Sequence, residues 1–495
     1  MSSLSFRAAI VACCALLLPA PFGASVHAEE WSLPEFARSQ VGREAFGLYL
    51  AGKKTGYMLT ETRLATRDGH EVLEVTSEWT FVMRLLGAET KSELQNLIVY
   101  SLEGDGEIVY AEELEKEDET SIQRKAVRNA EGLKISTTEN GATTERQAGS
   151  PRDTLVVARD LEAWLKQSPQ AGDKHAFYEV TLGEDTIDRK TTAEFLETTQ
   201  IVWGGVPVAA HRVQTVLDGS KSELLIDSDG RILRGKMGLL LEIRAEEEAT
   251  AKQLDAEPVD MLAASAIPVD QPLGDGETIE QLTLKITALD DFELPQSARQ
   301  HVEALGQGAA QVTLEREPEP TPVAELSAAD KETHLRATPS IQSDAASIRE
   351  LAATIVGDET DPIRRAELIV KWIGGNLRPS YAANASTATA VLERKAGDCT
   401  EYALLFTALA RAAGVPARQI GGVVYTDDPK PLFAWHAWAE IHDGHGWVSV
   451  DPMWQQVRID PTHIQFSIDS EADSAWINVL GALKVEVQNI RHLPE

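Results

Sequence analysis

Cysteine is nearly missing from this chain. Three occur in 495 residues, and two of them, Cys13 and Cys14, sit in the leading stretch. Loss of that stretch leaves Cys399 as the one thiol, so no internal disulfide framework can form. Positive charge is also scarce: 46 Lys and Arg stand against 78 Asp and Glu, a formal charge of −32. Such a surface disfavours nucleic acid and anionic lipid, and suits a soluble exported protein or a basic partner. Metal and cofactor signatures are missing as well. There is no closely spaced pair of His or Cys ligands, no calcium loop and no glycine-rich phosphate cradle, so neither metal nor cofactor is expected.

What the chain does contain starts with a leader. Arg7, the apolar run Ala8–Leu18, the breaks at Pro19 and Pro21 and the small-residue exit Val26-His27-Ala28 form a signal peptide over 1–28. The run is too short to span a bilayer, and it continues past Cys13, which argues against lipid attachment there. The expected mature chain starts near Glu29, is periplasmic or secreted, and has no integral membrane span.

Residues 29–250 read as a β-rich domain of unassigned role. Turn dipeptides recur at Asp68-Gly69, Asp105-Gly106, Asn140-Gly141, Asp218-Gly219 and Asp229-Gly230, with alternating runs between them. "FGLYLAGKKTGYMLTETRL" predicts a hairpin and "DTLVVARDLEAWLKQ" one helix. An acidic, Ala- and Pro-rich connector follows over 250–275, then a small β segment at 276–317 and a stiff proline linker, "EREPEPTPVAEL". Both connectors, 250–275 and 317–335, are expected to be protease-sensitive. The helices "DAASIRELAATIV" and "DPIRRAELIVKWIGGNL" open a further domain over 335–470, and 471–495 is a C-terminal extension. The fold class is α+β.

Cys399 lies in the stretch "GDCTEYALLF". Gly397 and Asp398 make a turn and a helix cap, and the apolar helix runs on to Gly414 and Pro416. The thiol thus falls in the first helical turn, where unpaired N–H groups and the helix dipole favour a thiolate and could stabilise an oxyanion. Downstream, "FAWHAWAEIHDGHGWVSVDP" alternates as a strand, turns at Asp443–Gly446 and resumes as a strand. His436 shares one face with Trp438 and Glu440, and a hairpin brings Asp451 back beside it. Cys399, His436 and Asp451 are therefore the candidate nucleophile, base and orienting carboxylate. His442, His445 and His463 sit in turn or polar contexts and read as surface residues.

The segments "GDCTEYALLFTALARAAGVPARQIGG", "HAWAEI" and "WVSVDP" resemble the core of the bacterial transglutaminase-like proteins, a papain-related superfamily of cysteine enzymes. "PTHIQF" at 461–466 fits the same pattern, whereas Met453 and Trp454 depart from the small polar residue usual after the "DP". The resemblance implies a transglutaminase-like fold for the C-terminal core and a Cys399–His436–Asp451 triad. It also implies a thioester acyl-enzyme formed on a protein or peptide substrate, with hydrolysis slightly ahead of transfer to an amine. The other reading is a binding or assembly module on the same fold without chemistry. Tyr381 is the candidate oxyanion donor, and Trp435, Trp438 and Trp454 are candidate cleft residues; core packing would explain the tryptophans equally well. Oligomeric state is not legible.

Overall fold

The computed structural model describes residues 32–494, apart from 86–87, 118–119, 140, 168, 184–186, 218, 229, 291, 320, 381–384, 386, 428–429, 469–477 and 480. The leader and Tyr381 lie outside the described residues. Among the described residues no helix is long and apolar enough to cross a membrane. The chain divides into two compact units, one ending at Asp260 and the other starting at Met261.

The N-terminal unit is one antiparallel sheet of fourteen strands. A first meander runs β1 (Gly42–Leu50), β2 (Lys53–Arg67), β3 (His70–Leu85), β4 (Ala88–Ser101), β5 (Ile108–Glu117), β6 (Thr120–Asn129), β7 (Gly132–Glu139) and β8 (Ala142–Ala148). The second runs β9 (Lys174–Val180), β10 (Asp188–Trp203), β11 (Val206–Leu217), β12 (Ser220–Asp227), β13 (Ile232–Met237) and β14 (Leu241–Ala245). Pairing of β14 with β1 fuses the two, so β8 and β9 become the outer edges. Local chemistry sets the hairpins. Asp68 and Gly69 both take positive φ between β2 and β3, the backbone that a two-residue hairpin requires. Two helices cover one face: α1 (Leu33–Ser39) and α2 (Leu155–Lys166), the latter capped by Thr154, whose side chain accepts from Val157 N. Phe36 and Leu155 from these helices join Leu73, Ile108, Ala126 and Ile135 of the sheet in one buried core.

The C-terminal unit is built around a buried helix. Helices α3 (Ala346–Val356), α4 (Pro362–Asn376), α5 (Ala388–Arg394) and α6 (Cys399–Ala412) pack against one face of a sheet whose main strands are β18 (Ala417–Thr426), β19 (Leu432–His442), β20 (Trp447–Asp451) and β21 (His463–Ile468), in the order β20-β19-β18-β21. Asp361 caps α4 by accepting from Arg364 N, and Ala366, Ile369, Val370 and Ile373 form its buried stripe. Before these elements come β15 (Ile279–Thr287), β16 (Gln300–Gly306) and β17 (Ala309–Glu315); β22 (Lys484–His492), from the C-terminal segment, pairs with β15 and completes a four-stranded sheet.

The proline-rich connector is not a free spacer. Glu317 and Thr321 are buried, Pro318 O accepts from Arg458, and Ala324 N donates to His445 O. A stiff, polar segment can dock through its carbonyls without needing apolar periodicity, which is why composition alone suggested a linker. Only the start of the other connector is open: Lys252, Gln253 and Asp255–Glu257 are exposed and lack regular structure, whereas Met261–Ser265 is helical and Ile267–Pro268 pairs with Leu432 and Phe433, so the expected free connector over 250–275 is corrected to its first few residues. Trypsin should therefore cut after Lys252 well before it cuts after Arg316, whose side chain donates to Glu277 O. Mass mapping of a digestion time course checks this; simultaneous loss of both bonds would refute the docked connector.

Candidate active site

Position 399 is organised by its own helix. Asp398 Oδ1 accepts from Thr400 N at 2.8 Å, and Glu401 Oε2 accepts from Asp398 N at 2.8 Å, a reciprocal capping box around the cysteine. Glu401 Oε1 also accepts from Ala385 N at 3.2 Å, tying the preceding loop to the helix start. Burial and the neighbouring Asp398 carboxylate hold the Glu401 carboxyl well above the usual range. The Cys399 thiol is buried and free, at the first position of α6.

The hairpin of β19 and β20 supplies the other two residues. His436 comes from the middle of β19 and Asp451 from the end of β20, which is fully buried. His436 Nε2 donates to Asp451 Oδ2 at 2.7 Å, which leaves Nδ1 as the nitrogen for the hydrogen bond with Cys399. Burial disfavours a charged His436, but the Asp451 carboxylate and the Cys399 thiol outweigh it and raise its pKa to about 10. Asp451 is correspondingly held far below the usual carboxylate range. For Cys399, burial and Asp398 oppose the thiolate, whereas the hydrogen bond and charge of His436 favour it.

Asp451 has more partners than the sequence suggested. Its Oδ1 accepts from Met453 N at 2.8 Å and Trp454 N at 3.0 Å, and its Oδ2 also accepts from His463 Nε2 at 3.2 Å. His463 is fully buried on β21, and its Nδ1 lies 3.4 Å from Asp460 Oδ1. The surface reading of His463 is therefore corrected: β21 pairs on the far side of β18 and turns this ring inward beneath Asp451. His442 is likewise buried, with Nε2 at 2.8 Å from Ala324 O, while His445 is exposed as expected. A buried strut holds the His463 segment. Arg299 donates to Asp460 O and His463 O, both at 2.9 Å, and Gln300 exchanges two hydrogen bonds with the Gln465 backbone.

The three tryptophans part company. The Trp438 ring is nearly fully buried and stacks on His436 with centroids 6.2 Å apart, and Trp454, 40% exposed, tilts over the same imidazole at 5.6 Å. The indole of Trp454 thus shields the outer side of the imidazole. Trp435 does not line this cleft. It projects from the opposite face of β19, donates Nε1–H to Ser265 O at 3.2 Å and packs edge-on against Phe466.

Gly422 sits opposite His436 in the register of β18 and β19. A Cβ there would drive into Ile464 O and lie 2.5 Å from the Trp438 ring. Gly422→Ala should therefore cost about 1–3 kcal/mol by overpacking and slow Cys399 alkylation. Urea unfolding alongside iodoacetamide kinetics checks it, and wild-type behaviour in both would refute the close packing.

His436, Asp451 and His463 also offer three ligand atoms within 4.8 Å of one another. Both imidazole Nε2 atoms lie at hydrogen-bonding distance from one carboxylate oxygen, so a cation could enter only by displacing the shared protons. The arrangement suits proton transfer: a thiol beside an imidazole that holds its proton, and a saturated carboxylate behind it.

Comparison with known proteins finds a family match within the C-terminal unit. The family model described as the transglutaminase-like superfamily matches residues 349–452. An uncharacterised protein of Haemophilus influenzae is 37% identical over 102 residues, 19% of this chain. The match spans about a quarter (27%) of that relative's length. Among solved structures, a provisionally assigned cysteine protease from Cytophaga hutchinsonii is similar at 19% identity and TM-score 0.29, over 44% of this chain and 87% of its own. A provisionally assigned protease from Parabacteroides distasonis is similar at 12% identity and TM-score 0.18, over 70% of this chain and 68% of its own.

Proposed function

We propose that the transglutaminase-like domain of this chain is a working cysteine enzyme that acts on amide or peptide bonds through a thioester, in an exported, periplasmic or secreted protein. The hydrogen-bonded line from Cys399 through His436 to Asp451 carries this reading. Cys399 Sγ attacks the carbonyl carbon, and the oxyanion so formed meets the backbone N–H groups of the first turn of α6. His436 then gives its proton to the leaving amine nitrogen as the C–N bond breaks, and a thioester remains. Water, or a second amine, attacks the thioester while His436 takes its proton, and the thiolate–imidazolium pair returns. Asp451 keeps the imidazole in one orientation and stabilises its charge.

Burial of the thiol, with Trp454 over the imidazole, limits solvent at the acyl-enzyme, but the site has an exposed edge at Trp454 itself. Hydrolysis is the fate we favour slightly, as the family resemblance implies, with transfer to an amine as its competitor. The test is an electrophilic thiol probe on the mature protein, followed by peptide mapping and by assay of released amine from a casein digest with and without added cadaverine. Adduct on Cys399 and amine release that both vanish in Cys399→Ala support the enzyme. Fast labelling without any release from a broad set of peptides and amides would favour the silent binding module.

A further inference from the structure

The longer helix on the N-terminal sheet is not pressed flat against it. On α2, Val157, Ala158, Leu161 and Leu165 recur at helical spacing along one side, yet all four are only half-buried, and Leu155 is the one buried residue of the helix. The sheet side opposite is apolar too, with Val75 on β3 and Ile98 on β4 also half-buried. These residues, with Phe177 and Tyr178 of β9, line a cavity of about 220 Å³. Two apolar surfaces held apart forgo the burial and contact that would stabilise them, so the gap suits an apolar occupant.

The charge of this wall is one-sided. Asp153, Glu162 and Glu179 all contribute to it, and among the described residues no Lys, Arg or His does. Glu162 has a cation in Lys166, and Glu179 accepts from Thr191 Oγ1 at 2.9 Å. Asp153 is bonded by neutral donors: the Tyr100 hydroxyl lies 3.2 Å from each carboxylate oxygen, and Val180 N donates at 3.3 Å. A hydroxyl on an ionised carboxylate normally comes to about 2.5–2.7 Å, so these bonds are long. The guanidinium of Arg152, the preceding residue, goes elsewhere, donating to Tyr178 Oη at 2.8 Å and approaching Asp188 of β10 at 3.9 Å. Burial first, and then the charge of Asp188, push the Asp153 carboxyl up to about 7 against the bonds from Val180 and Tyr100. Asp153 is nevertheless half-buried as a residue, not sealed in the core.

We infer that this cavity is a binding site for a hydrophobic amine, an alkylammonium whose chain lies between the sheet and α2 and whose charge meets the Asp153 carboxylate. The ammonium supplies the counter-charge that Asp153 lacks, and Glu162 and Glu179 add to the negative field around it. A carboxylate head would face three carboxylates and no cation, and an uncharged head would leave Asp153 without its counter-charge. Because an ammonium binds the ionised form of Asp153, affinity rises as pH rises through about 7, while the amine itself stays charged to about pH 10. The site is independent of Cys399 chemistry.

The test is calorimetric titration of the full chain with octylamine, octan-1-ol, octanoate and methylamine, each below its aggregation threshold. At pH 8 octylamine is expected to bind saturably at one per chain, and octanol and octanoate at least tenfold more weakly. Methylamine should give no saturable binding, which separates the cavity from general attraction to an acidic surface. From pH 8 to pH 6 octylamine should weaken about tenfold as Asp153 takes up its proton. Asp153→Asn should weaken octylamine at least tenfold and flatten that dependence. Its melting temperature should be equal or higher, because the folded chain no longer holds a carboxylate without a counter-charge. If Asp153→Asn fails to fold, the pH dependence of the wild type decides. Leu161→Trp fills the apolar part and should abolish binding; if circular dichroism shows that it misfolds, Leu165→Trp replaces it. Absence of saturable octylamine binding, equal affinity for octanol or octanoate, affinity flat between pH 6 and pH 8, or unchanged binding in a folded cavity-filling variant would each overturn the assignment.

Discussion

Asp451→Asn is expected to leave the fold intact and to reduce amide turnover roughly a thousandfold to ten-thousandfold. The four donors on Asp451 explain the size. Oδ1 of the asparagine can still accept from Met453 N and Trp454 N, which forces its NH2 group toward His436 Nε2 and His463 Nε2. His436 must then present an unprotonated Nε2 to that group and carry its proton on Nδ1, facing the thiol. An imidazole in that tautomer cannot take a proton from Cys399. The pH profile supplies an independent check. With Asp451 in place His436 keeps its proton up to about pH 10, and the acid that protonates the leaving amine persists with it. Turnover should therefore fall only as pH rises through that value, and in Asp451→Asn the alkaline limb should move down toward the ordinary imidazole range. His436→Ala should slow Cys399 alkylation more than Asp451→Asn does. Equal alkylation rates in wild type and both variants would remove the triad and leave only the fold.

His463→Leu is expected to cost about 3–5 kcal/mol of stability, as removal of one partner from buried charged neighbours does. The ring lies wholly buried between Asp451 and Asp460. Asp460, held far below the usual carboxylate range against the desolvation of its site, would lose the group that contributes most to keeping it there. His463→Gln keeps a donor near the Nε2 position and should recover both part of the stability and most of the alkylation rate. Urea midpoints for the two variants decide the matter, and a leucine variant that unfolds like wild type would show that His463 is mere filling.

How much of this was legible beforehand follows from how local each feature is. The capping box at Asp398 and Glu401, the apolar period of α6 and the two-residue alternation around His436 are written within a few positions, and the hairpin of β19 and β20 needs only its own turn. His463 failed the same treatment because its ring is placed by a pairing across β18, and the polar letters around it in "PTHIQF" give no hint of that burial. The N-terminal strands were readable one hairpin at a time from Asp-Gly and Asn-Gly turns. Their fusion into a single sheet depends on β1 meeting β14, almost two hundred residues later, which no local pattern announces. Trp435 shows the converse error: proximity in sequence to His436 put it in the cleft, and strand alternation puts it on the other face.

The pairing of β15 with β22 has a consequence for biogenesis. Ile279 meets His492 and Thr287 meets Lys484, so this sheet can close only once residues 484–492 have been made. Arg299 and Gln300, which grip the backbone at Asp460, His463 and Gln465, are themselves set by that sheet through β16. A nascent chain would therefore display Cys399 on its helix before the sheet behind Arg299 and Gln300 is complete. Long-range closure of this kind is slow relative to helix formation, so it would come late, once residues 484–492 are in place. A chain stopped before Lys484 would leave β15 with one partner strand, β17, and its other edge bare.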